Sequence, residues 1–92
     1  MELGLTGKIA MVTGGSRGLG RQIASSSGRE GCKISLCARD PDGLKATVDE
    51  LAVQGYPVHG TQADVTKEED AIRFYHETVA TLGHPDVLVN NV

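Results

Sequence analysis

The stretch VTGGSRGLGRQ, Val12 to Gln22, sets four glycines within seven residues directly behind the apolar run KIAMVT, residues 8–13. A continuous apolar run of that length reads as a strand buried on both faces. A strand that turns at once into a helix presents unpaired backbone N–H groups at the positive end of the helix dipole. Such a turn binds phosphate when no side chain blocks the approach. Gly14, Gly18 and Gly20 keep the backbone bare at that point.

The rest of the chain supplies what a dinucleotide fold needs around this turn. Leu19 and Ile23 start a helical pattern that closes near Gly31, and KISLCA (33–38) reads as a second strand. Asp40-Pro41 reads as an N-cap followed by proline at the first helical position. The helix behind it carries Leu44, Val48, Leu51 and Ala52 at helical spacing and ends by Gly55. PVHGTQA (57–63) is a weaker strand suited to a sheet edge. Thr66 and Glu69 have capping-box spacing for a helix whose expected inner stripe is Ile72, Tyr75, Val79 and Leu82, ending at Gly83. DVLVNN (86–91) is the fourth strand. Alternating β and α elements with short connections predict an α/β fold, a Rossmann-type doubly wound parallel sheet with right-handed crossovers. Its expected strand order is 3-2-1-4. DVLVNN then lies at an edge with the apolar character of an interior strand, and such an edge recruits another strand. The first helix breaks its own pattern: position 27, on the face of Leu19 and Ile23, is Ser27 in a run of weak helix formers.

Other phosphate-binding turns fail on residues. Gly15 to Gly20 has the spacing of a Walker A loop, but Arg21 and Gln22 replace the lysine and the magnesium-binding hydroxyl. An NAD site calls for a carboxylate at the tip of the second strand to hold the ribose hydroxyls. That strand instead ends Cys37-Ala38-Arg39, and a guanidinium there suits the 2′-phosphate of NADP. Arg17, inside the turn, reaches the same phosphate. NADP(H) is therefore the expected cofactor, ahead of NAD(H).

Three motifs in order carry a family resemblance: Thr13-Gly14-x-x-x-Gly18-x-Gly20, then Asp64-Val65 after the third strand, then Asn90-Asn91 after the fourth. They resemble the short-chain dehydrogenases/reductases, most of all the 3-oxoacyl-(acyl carrier protein) reductase-like members. The resemblance implies that Gly14, Ser16, Arg17 and the backbone around Leu19 hold the cofactor phosphates. It further implies that Asp64 accepts from the adenine amino group, that the Val65 backbone pairs with the ring, and that Asn90 and Asn91 brace the fourth strand and the ribose. Val92 stands where the family has alanine in N-N-A-G. The family's catalytic groups are a serine, a tyrosine and a lysine four residues after the tyrosine. Here Tyr56 is followed four on by Gly60 and Tyr75 by Val79, so no catalytic residue is assigned. The 92 residues are read as one unit, the N-terminal dinucleotide-binding part of a single domain truncated after the fourth strand. The parent protein is expected to act on a small carbonyl or alcohol substrate and to form a homo-oligomer. A short nucleotide-binding or scaffold module without chemistry stays open beside this reading.

Composition narrows the classes. The net charge of −3, with basic residues scattered, argues against nucleic acid or an anionic membrane as partner. The N-terminus lacks a signal peptide's layout, and no apolar run approaches the ~18 residues of a spanning helix, so the protein is expected to be soluble and cytoplasmic. Cys32 and Cys37, five apart, point to opposite faces and read as two buried reduced thiols. His59, His76 and His84 have no ligand spacing, so no metal is expected.

Overall fold

Ile9–Thr13 (β1) and Lys33–Ala38 (β2) are both mainly apolar runs, and they pair in parallel at the middle of the sheet, Ile9 opposite Lys33 and Thr13 opposite Cys37. The structure is a computed structural model, and it describes residues 5–14 and 18–91. Between and beyond these strands lie α1 (Gly18–Arg29), α2 (Pro41–Val53), β3 (Val58–Gln62), α3 (Glu68–Thr81) and β4 (Val87–Asn90). The four strands are parallel in the order β3-β2-β1-β4, as the sequence leads one to expect.

Strand alternation sends β1 and β2 side chains to two separate cores. Val12, Ile34, Leu36 and Ala38 meet Ala24 of α1 and Leu44 and Leu51 of α2 on one face. Met11 and Cys37 meet Phe74 of α3 and Ala63 on the other. α2 begins as read: Asp40 caps it, its carboxylate accepting the N–H groups of Asp42 and Gly43 at 3.2 Å each. Ala52, expected on its inner stripe, is exposed.

Two helices bury a stripe one position away from the expected one. In α1 the buried residues are Gly20, Ala24 and Gly28, while Leu19 is 61% exposed. The cause is close approach. A methyl group at Gly28 would collide with the Tyr56 ring, so only the smallest side chains fit this face. Half-buried Ser27 lies beside that stripe, and its carbonyl accepts the N–H groups of Glu30 and Cys32 where the helix unwinds. In α3 the buried residues are Phe74 and Thr78, while Ile72 and Tyr75 are exposed. Phe74 is the chain's one phenylalanine and fills the space under Met11 and Cys37. Thr78 Oγ1 donates to the Phe74 carbonyl at 2.8 Å and meets Ser35 Oγ of β2 at 2.6 Å, so this buried polar pair is satisfied.

The expected capping box at Thr66 and Glu69 is absent. α3 is capped at Lys67 without a side-chain bond, because the Thr66 hydroxyl is drawn back to Asp64. Both cysteines are free and buried. Among the described residues no helix is long and apolar enough to cross a membrane.

Candidate functional site

All four strands point their C-terminal ends the same way, and the residues that follow them surround a cleft of about 400 Å³. Gly14 follows β1, Ala38 ends β2 with Arg39 behind it, Asp64 and Val65 follow β3, and Asn91 follows β4. Seven of the sequence-assigned residues fall within or beside this region: Gly14, Arg39, Asp64, Val65 and Asn91 line it, Asn90 ends β4, and Gly20 packs beneath. Gly18 and Leu19 open α1, Gly18 with φ +50° and Leu19 exposed. Ser16 and Arg17 lie outside the described residues, as does Val92.

The turn out of β1 is built by glycine for two reasons. Gly14 has φ +65°, and a methyl group there would strike the Asn91 carbonyl oxygen. A methyl group at Gly20 would strike the Gly14 carbonyl oxygen, so the first turn of α1 rests directly on the strand end. Thr13 ties the same turn to β4. Its Oγ1 donates to Asn90 Oδ1 at 3.0 Å and accepts the Asn91 N–H at 2.8 Å. The sequence reading assigned Thr13 no role, although it stands at the head of the glycine motif.

Asp64 and Val65 form the opposite wall. Thr66 donates to Asp64 Oδ1 from its hydroxyl at 2.6 Å and from its N–H at 3.1 Å. Those bonds, the hydroxyl's first, hold the Asp64 carboxyl below the usual carboxylate range, and the positive charges of Arg39 and Lys67 add to the effect. Asp64 Oδ2 and the Val65 N–H make no hydrogen bond among the described residues. Exposed Arg39 lies between the two walls, and Gln62 Nε2 donates to its carbonyl oxygen at 3.4 Å. Burial pushes the Cys37 thiol of the cleft up to about 11 despite the Gly14 N–H, so the sulfur stays protonated. Neither tyrosine lines this cleft: Tyr56 packs on α1, and Tyr75 borders a separate groove.

That groove, about 520 Å³, runs between α3 and β4 and is lined by Met11, Phe74, Tyr75, Val87 and Leu88 among others. Its walls are mainly apolar, with Thr13, Asp86 and Asn90 the polar exceptions beside Tyr75 among the described residues.

The short chain dehydrogenase family model matches residues 8–92. The A-factor type gamma-butyrolactone 1'-reductase (1S-forming) of Streptomyces virginiae is 40% identical over 86 residues, 94% of this chain and 34% of the relative. L-Sorbose reductase from Gluconobacter frateurii, solved with NADPH and L-sorbose, superposes with a TM-score of 0.96 at 34% identity, over 100% of this chain and 35% of that one. A short chain dehydrogenase/reductase from Burkholderia phymatum in complex with NAD gives 0.90 at 30% identity, over 91% and 30%. The chain thus spans about a third of the length of the relatives it matches. The family match starts at Lys8, the residue before β1, and runs on past β4, so the whole β-α-β framework around the cleft is covered and the chain belongs to the short-chain dehydrogenase family.

Proposed function

We propose that the protein is an NADP(H)-dependent oxidoreductase acting on a small carbonyl or alcohol substrate, and that these residues supply its cofactor-binding part. The observation that carries this reading is the meeting of Arg39 and Asp64 in one strand-end cleft with Gly14 and Asn91. The donor set fits an adenosine half. Asp64 Oδ2 accepts from the adenine amino group, the Val65 N–H donates to the adjacent ring nitrogen, and Arg39 pairs with a phosphate on the ribose. The Asp40 carboxylate, next to Arg39, accepts the N–H groups of Asp42 and Gly43, which suits a helix cap better than the ribose-binding carboxylate of an NAD site. Ser16, Arg17 and the first turn of α1, Gly18 to Gly20, take the pyrophosphate at the positive end of the helix. Asn90 and Asn91, held by Thr13, brace the ribose side.

A bound nicotinamide supplies the hydride; the residues described here bind and orient its carrier. No tyrosine here is followed four residues on by lysine, so the groups that polarise the carbonyl and move the proton are assigned to sequence beyond these residues. The relatives' threefold greater length supports that division.

Known family members bind either nicotinamide dinucleotide, as the NADPH and NAD complexes illustrate, so family membership alone does not choose between them. Arg39 does. Titration of the full-length protein with both cofactors should give tighter binding of NADP(H), and Arg39→Asp should cut that preference about ten- to a hundredfold, the value of one charge-assisted contact. Equal affinities in the unmodified protein would overturn the assignment.

A further inference from the structure

The end of β3 is gripped from α3 in a way the cofactor reading does not use. The Asp64 N–H donates to Asp70 Oδ2 at 2.8 Å. One turn further along α3, Arg73 donates to the Gln62 carbonyl at 2.7 Å and pairs with Asp70 Oδ1 at 3.6 Å. Between them the Ala63 N–H donates to the Ala38 carbonyl at 3.0 Å, which ties the same turn to β2. Three consecutive residues, Gln62 to Asp64, are therefore held from two sides where the chain enters the cleft that Asp64 and Val65 line.

Asp70 differs from its neighbours. Glu68 and Glu69 share the first turn of α3 and are exposed, whereas the Asp70 side chain is 25% exposed and turned back onto the strand end. A carboxylate in the first helical turn is favoured by the helix dipole, which stabilises the charge that the Asp64 N–H meets. We propose that Asp70 is a positioning residue for the adenine end of the site, fixing the backbone of Asp64 and Val65 so that one carboxylate oxygen and one N–H address the ring together. The inference rests on the cofactor reading above.

The test uses the full-length protein and ADP-ribose, which carries the adenine end without the nicotinamide. Asp70→Ala should weaken ADP-ribose binding about tenfold, the value of one hydrogen bond to a charged group. It should raise KM for the dinucleotide by a similar factor with kcat nearly unchanged. Asp70→Asn keeps an acceptor oxygen and should restore most of the affinity. Asp64→Ala separates the two readings. If Asp64→Ala weakens ADP-ribose binding and Asp70→Ala does not, the positioning role is overturned while the cofactor reading stands. Loss of kcat in step with KM in Asp70→Ala, or no rescue by Asp70→Asn, overturns it equally. If Asp64→Ala leaves ADP-ribose binding untouched, the adenine reading itself falls and the proposal with it.

Discussion

β1 and β4 lie side by side in register and read almost alike, IAMVT and VLVN, yet every residue of β1 is buried and β4 is exposed except at half-buried Val89. β1 has a strand on each side and helices over both faces. β4 has β1 on one side only, and α3 leaves the apolar groove between itself and Leu88. The opposite edge is different again. β3 reads VHGTQ, and its His59 and Thr61 side chains both bond Glu77 Oε1 of α3, at 3.1 and 2.9 Å. A short, polar, internally bonded edge resists pairing with another strand, whereas an apolar one invites it. The sheet thus has one edge built as an edge and one with the composition of an interior strand.

The largest expected effect lies at that second edge. Residues 1–92 expressed alone should self-associate through β4, where Leu88 is 64% exposed. Leu88→Lys should return the piece toward monomer in light scattering, since a charged edge blocks pairing. A stable monomer without the substitution would break the contrast between the two edges.

A smaller effect is expected inside the closed half of the molecule. Gly28→Ala places a methyl group against the Tyr56 ring. Overpacking of this kind costs about 1–3 kcal/mol, offset by up to about 1 kcal/mol from the better helix propensity of alanine. A net loss of roughly 1 kcal/mol in urea unfolding is expected, and a gain would mean that Tyr56 swings aside freely. On the α1 side, then, room is the limit; on the β4 side, cover is.

The smallest effect tests what holds the β3 edge. The hydrogen bond from His59, foremost, and that from Thr61 hold the Glu77 carboxyl below its usual range although burial opposes them. A carboxylate lowered in the folded state contributes stability above its unfolded value, about 4.3, and loses it as pH falls through the lowered folded value. Glu77→Gln should therefore cost a few tenths of a kcal/mol at neutral pH, as expected for a partly exposed pair. The gap in melting temperature between the two proteins should close as the solution becomes more acid than the Glu77 carboxyl. A gap that stays constant into acid would show that shape rather than charge secures this edge.

Much of the fold was legible because its signals are local. Proline after Asp40, glycines at 14, 31, 55 and 83, and apolar runs of strand length mark each boundary within a residue or two, and short connections leave little choice but a parallel sheet. The strand-end position of Gly14, Arg39, Asp64 and Asn91 follows from the same punctuation. The roles of Thr13, Asp70 and Arg73 could not be read in this way. Each acts through a bond to a backbone group on another segment, and nothing in residue type or spacing marks Asp70 apart from Glu68 and Glu69.

By itself the sequence determined the element order, the sheet and the bare backbone of the glycine turn, because helical and strand periodicity and glycine conformation are properties of a few adjacent residues. Only the tertiary structure decided which stripe of α1 and α3 turns inward. Leu19, Ile23 and Ser27 compete with Gly20, Ala24 and Gly28 one position over, and Ile72 and Tyr75 compete with Phe74 and Thr78. Periodicity ranks both stripes alike; what settles the choice is the space opposite, a Tyr56 ring that crowds any side chain larger than glycine at position 28 and a hydroxyl on Ser35 that asks for Thr78.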